Sequence, residues 1–194
     1  NVISQINGSI HPEQIILIGG HIDSWDVGHG AHDNAGGCLV AWEAIRLIKE
    51  LGLTPKRTIR CVLWTNKENG GMGSKSYREM HINQIDKHVL VIESDGGVFA
   101  PEGFGFTGSD DAKIIVEAIH KLLKPIKANY MSEDGLSTDI VPLKDLKVPV
   151  MSLKVDNSKY FWYHHTNADT FDKVDFYEFN KCIAAVAIMA YVIA

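Results

Sequence analysis

The sequence predicts one α/β domain over residues 1–194, with a largely parallel sheet covered by helices on both faces, and three observations point there. Short apolar runs rich in β-branched residues alternate with longer stretches whose apolar positions recur at helical spacing. The runs are apolar throughout rather than alternating with polar residues, the pattern of strands buried on both sides. A chain of 194 residues with 45% hydrophobic content is long enough for one substantial core and short for two.

The chain begins in what reads as a strand. The run at 14–20 ends on Gly19 and Gly20, so His21 stands at a strand's C-terminal edge. From 35 to 51, Leu39, Val40, Ala44, Ile45, Leu47 and Ile48 recur at helical spacing, closed by Gly52 and Pro55. A second strand is predicted at 58–65, a short helix at 74–81 and a third strand at 89–92, whose exit carries Glu93, Ser94 and Asp95. Ser109 or Asp110 caps a helix over 109–123, with Pro125 beyond its end. A strand at 148–153 and a closing helix at 176–194 with a wide apolar face complete the pattern.

Composition excludes several functions. A net charge of -5 without any block of like charge gives no support to nucleic-acid binding. The final apolar run, 182–194, is too short to cross a bilayer, so no membrane association is expected. Cys38, Cys61 and Cys182 lie inside apolar patterns without close spacing, as buried free thiols do. Asn7-Gly8-Ser9 is a glycosylation acceptor in a secreted protein, and no Gly-x-Ser-x-Gly elbow occurs. With no initiating Met, the chain is expected to be a fragment of a longer precursor.

Ligands of open α/β sheets bind beyond the carboxyl ends of the strands. His21, Glu68 and Asp95 each follow a different predicted strand there, Asp33 precedes a helix, and His165 lies in a late loop. Two imidazoles and three carboxylates are the donor set of a paired zinc site sharing one carboxylate. Asp23, two residues after His21, is placed to hold the imidazole so that its other nitrogen faces a metal. Asp33 is equally suited to capping the helix that follows. Of His164 and His165 one is expected to ligate while the other points away, and Asp169 is expected to cap a turn. His11, His29, His32, His81, His88 and His120 are expected to be surface or core residues.

With these residues in view, the chain resembles the M28 family of zinc peptidases. The resemblance rests on His21-Ile22-Asp23, on Asp33-Asn34-Ala35-Gly36-Gly37, and on Lys67-Glu68-Asn69-Gly70 with Gly73-Ser74. Asp95 and His165 before Asp169-Thr170 complete it. It implies the three-layer zinc-exopeptidase fold, a mostly parallel mixed sheet with helices on both faces. It further implies two zinc ions, one held by His21 and Asp95 and the other by Glu68 and His165, with Asp33 bridging. Short peptides are the implied substrates, Asp139 an implied substrate contact, the homodimer an implied assembly, and a secreted or lysosomal location the implied address.

One position departs from the family. Lys67 stands where the resemblance implies a glutamate that accepts the attacking water's proton, a role an ammonium cannot fill. Three readings follow: a metal-binding protein without turnover in which Lys67 fills or shields the pocket, a peptidase with another proton acceptor, or different chemistry at Lys67. Shifting the register to make Glu68 the base would remove the candidate ligand from that strand end.

Overall fold

In the computed structural model, which describes all 194 residues, seven strands form one mixed sheet in the order β1-β3-β2-β4-β7-β5-β6. These are β1 (Val2–Ile6), β2 (His11–His21), β3 (Arg57–Trp64), β4 (His88–Glu93), β5 (Pro101–Thr107), β6 (Tyr130–Ser132) and β7 (Val150–Val155). The helices are α1 (Gly36–Glu50), α2 (Met72–Met80), α3 (Asp110–His120), α4 (Val141–Lys144), α5 (Tyr160–Tyr163) and α6 (Phe176–Ile193). Strands β3, β2, β4 and β7 run parallel, while β1 pairs antiparallel with β3 and β5 antiparallel with β7.

The unbroken apolar run of β2 is explained by what lies on each side. Ile16 and Ile18 enter the larger core, where α1, α3 and α6 pack, and Ile15 and Leu17 enter a smaller one with Trp64, Tyr77 and Leu143. By length and composition α6 is able to span a bilayer, yet Cys182, Ala185, Val186, Met189 and Ala190 are buried in the larger core. It is a core helix.

Beyond the short elements β6, α4 and α5, which were not expected, two longer stretches differ from the expectation. Strand β5 was not anticipated, because Pro101, Gly103 and Gly105 dilute its apolar pattern. Those glycines admit neighbouring backbone: a Cβ on Gly103 would lie 1.8 Å from the Tyr130 carbonyl oxygen, and one on Gly105 1.6 Å from that of Asp134. The helix expected over 109–123 stops as an α-helix at His120 and continues as a 3-10 turn over Lys121–Ile126 that contains Pro125.

Register brings the strand ends together. Gly20 and His21 of β2 stand opposite Leu63 and Trp64 of β3, and Gly19 stands opposite Glu93 of β4. Helix α1 comes down on this edge through glycine. A Cβ on Gly37 would meet the Ser94 carbonyl oxygen at 2.1 Å, and one on Gly20 would meet the Gly37 carbonyl carbon at 2.7 Å. The residues after β2, β3 and β4 and those before α1 therefore share one small volume.

Candidate metal centre

His21 is fully buried at the end of β2. Its Nδ1–H donates to the Asp23 carbonyl oxygen at 2.8 Å, which turns Nε2 toward Asp95 Oδ1 at 2.9 Å and Asp33 Oδ1 at 3.1 Å. Burial alone would lower its pKa, but the two carboxylates outweigh that and raise it to about 10. The imidazole is oriented by backbone, not by the Asp23 carboxylate, whose nearest oxygen is 3.8 Å from Nδ1. That carboxylate instead accepts the backbone N–H groups of Lys67 and Glu68, both at 3.0 Å, and so fixes the loop leaving β3.

Asp33 sits in the irregular turn Ala31–Ala35 ahead of α1 and makes no capping bond. Asn34 does the local work: its Oδ1 accepts from Gly37 N at 3.0 Å and its Nδ2 donates to the Ser94 carbonyl at 2.9 Å. Asp169 holds the turn from the far end of the chain. Its two oxygens accept the backbone N–H groups of His32 and Asp33, at 2.7 and 3.0 Å. Asp169 thus holds a distant segment where a cap on its own turn was expected. Burial pushes the Asp33 pKa upward, but its hydrogen bond to His21 and the charges of Lys67, His21 and His164 bring it down to about 2.

Lys67 reaches into the centre. Its Nζ lies 3.5 Å from Asp95 Oδ2, 3.6 Å from Asp33 Oδ1 and 3.7 Å from Glu68 Oε2, with 11% of the side chain exposed. Burial works against its charge, yet Asp95, Asp33 and Glu68 prevail and hold its pKa above the usual lysine value.

His165, at a φ of 58°, places Nε2 3.1 Å from Asp33 Oδ2 and 3.3 Å from Glu68 Oε1, and Trp25 stacks on its ring at 4.5 Å. His164 was expected to point away, but its Nε2 is 3.3 Å from the same Asp33 oxygen. The left-handed backbone at His165 lets the two rings lie face to face, 3.6 Å apart. Asp33 Oδ2 and Glu68 Oε1, both near His165 Nε2, are buried like it, and none of the three is aligned for a hydrogen bond. Atoms that converge in this way without bonding to one another suit a shared cation.

The structure brings His21, Asp33, Lys67, Glu68, Asp95 and His165 together and leaves Asp139 out. Asp139 is fully buried, its backbone N–H donating 3.2 Å to Glu93 Oε2 and its carboxylate oxygens without hydrogen-bond partners. Burial raises Asp139 to about 6 and also lifts Glu93 well above its ordinary value. Sequence reasoning passed over Tyr160, whose hydroxyl pKa is driven up by burial and by Asp33, Asp95 and Glu68. Tyr160 also lines a cleft of ≈ 260 Å³ beside Asp95, with Ser137, Ser152, Lys154 and Phe161. Of the remaining histidines, His32, His88 and His120 are buried core residues, His32 stacked on Phe99 at 4.1 Å. The three cysteines are free and buried, as expected.

The profile of Peptidase family M28 matches residues 1–190. Carboxypeptidase Q of Mus musculus is 45% identical over 194 residues, which is 100% of this chain and 41% of that protein. The chain therefore spans under half the length of that relative. A solved structure of a peptidase M28 precursor from Shewanella amazonensis SB2B superposes with a TM-score of 0.92 at 35% identity, covering 98% of this chain and 43% of that one. BSAP, a zinc aminopeptidase from Bacillus subtilis, superposes with a TM-score of 0.78 at 18% identity, covering 98% and 49%, and shows the shared fold.

Proposed function

Because the chain belongs to peptidase family M28, we propose that it is a carboxypeptidase Q-like zinc metallopeptidase domain that binds short peptides and hydrolyses them weakly. The observation carrying this reading is that five donor side chains from four loops meet around Asp33, three of their atoms buried and without hydrogen-bond partners. Two sets of donors share Asp33: His21 with Asp95, and His165 with Glu68. Zinc bound there supplies polarisation of a carbonyl and acidification of water.

The chain's own groups set the rest. Asp23 keeps Lys67 and Glu68 in place, and the cleft beside Asp95, lined by Tyr160, accepts a substrate residue. Lys67, held charged by three carboxylates, accepts no proton. General base catalysis is worth about 10²- to 10⁴-fold, so turnover falls by that order while peptide and metal binding persist. A binding protein without turnover is the second reading, favoured by the same ammonium. Asn7 is exposed, in keeping with a secreted or lysosomal glycoprotein.

A panel of dipeptides assayed with added zinc, for the natural sequence beside Lys67→Glu, tests the reading. We expect weak cleavage by the natural chain and a gain of about 10²-fold or more in the variant. Robust turnover by the natural chain would overturn the assignment of weak activity, and absence of both zinc uptake and cleavage in both proteins would overturn the metallopeptidase reading.

A further inference from the structure

The two ion positions are not equivalent in this chain. On the His165 side, Asp33 Oδ2, Glu68 Oε1 and His165 Nε2 are buried and unpartnered, and His164 Nε2 stands 3.3 Å from the same Asp33 oxygen. On the His21 side the donor atoms also lie within 4.8 Å of one another, but they are already engaged with each other and with Lys67. His21 Nε2 bonds Asp33 Oδ1 and Asp95 Oδ1, and Lys67 Nζ lies 3.6 Å from the former aspartate and 3.5 Å from the latter. Charge gives the same division. Asp33, Glu68 and Asp95 carry three negative charges, against which Lys67 sets one and His21, donating from both ring nitrogens, a second, so one divalent ion more than balances the remainder. A glutamate in place of Lys67 would leave a deficit that two such ions balance.

Resting on the metallopeptidase reading, we propose that this chain holds one tight divalent ion, ligated by Asp33, Glu68 and His165 with His164 as an added ligand. The Lys67 ammonium serves as the built-in cation of the other position, beside His21, Asp33 and Asp95. His164 is within reach of this role because its nitrogen, that of His165 and an Asp33 oxygen all lie within 4.8 Å of one another. A second ion entering beside His21 must first displace Lys67 from two carboxylates and then meet its repulsion, which at this range weakens binding by about a hundredfold or more.

The test is zinc uptake by the metal-free chain, titrated against a chromophoric chelator, with ions per chain counted by mass spectrometry after gel filtration. The natural chain should retain one ion, with the second binding at least about a hundredfold more weakly. Lys67→Met, which removes the charge without adding an oxygen ligand, should strengthen the second ion about tenfold or more, while Lys67→Arg should stay at one. His164→Ala should weaken the first ion about tenfold or more. Far-UV circular dichroism checks folding, and if Lys67→Met does not fold, Lys67→Arg and His164→Ala still decide. Two ions of equal affinity in the natural chain, a Lys67→Met protein no different from it, or a His164→Ala protein with unchanged affinity would each overturn the proposal and leave the metallopeptidase reading standing. No zinc uptake by any of these proteins would overturn that reading itself.

Discussion

Replacing Lys67 with Met should destabilise the metal-free protein and do little harm once zinc is bound. The ammonium lies 3.5 to 3.7 Å from three carboxylate oxygens, and the Met side chain keeps most of the apolar stem. At an effective dielectric of about 20 each contact is worth about 4–5 kcal/mol before desolvation. Removing water from the ammonium cancels much of this gain, and taking one partner out of a buried ionic group costs about 3–5 kcal/mol net. At about 2–4 °C per kcal/mol for a domain of this size, the melting temperature in chelator should fall by roughly 6–20 °C. Zinc replaces the lost positive charge. An ion at a hundred times its dissociation constant contributes about 2.7 kcal/mol, so each ion the variant takes up recovers that much. Calorimetric melting of both proteins, with chelator and with excess zinc, reads the difference directly. An equal fall in both media, or no fall in chelator, would show that Lys67 is not the counter-charge of the carboxylates.

Three further outcomes follow from the same geometry. With a folded pKa of about 10 against an ordinary 6.5, His21 adds stability that is fully present below about pH 6.5 and lost as pH rises through about 10. Urea midpoints in chelator should therefore fall across that window. Asp169→Ala strands the buried N–H groups of His32 and Asp33, at a cost of roughly 2–5 kcal/mol; an unchanged urea midpoint would refute the assigned role. Gly37→Ala drives a Cβ to 2.1 Å from the Ser94 carbonyl and 2.2 Å from Asn34 Oδ1, and should cost about 1–3 kcal/mol or more by thermal melting while weakening zinc uptake.

What the sequence made legible was whatever burial enforces. Strands covered on both faces cannot avoid continuous apolar runs, so β2, β3 and β4 were visible, and with them the places of His21, Glu68 and Asp95. β5 escaped because its glycines serve close backbone approach, which leaves no apolar signature. The orientation of His164 depends on the left-handed backbone at His165, a conformation a non-glycine residue does not announce. Asp23 and Asp169 were recognised as supports but assigned to neighbouring groups, whereas their acceptors reach backbone 44 and 137 residues away. Asp139 illustrates the remaining limit. Its place in the chain says nothing of its full burial, with its backbone N–H bonded to Glu93.

Position 67 can change its chemistry without disturbing the metal ligands because its backbone and its side chain are held by different partners. The Asp23 carboxylate binds the N–H groups of both Lys67 and Glu68, so the loop, and with it the direction of Glu68, is indifferent to the side chain at 67. His21 is oriented by the Asp23 carbonyl and Asp33 by Asp169, again without help from Lys67. An ammonium placed there therefore enters a cluster already built, and finds three carboxylates that need a cation. It supplies positive charge where the proposed reading calls for a proton acceptor. On the proposed reading such a site loses hydrolytic power and tolerance for a second ion while keeping its ligands. Metal content and turnover are thus expected to separate in this chain, and the Lys67 variants should move them independently of the fold.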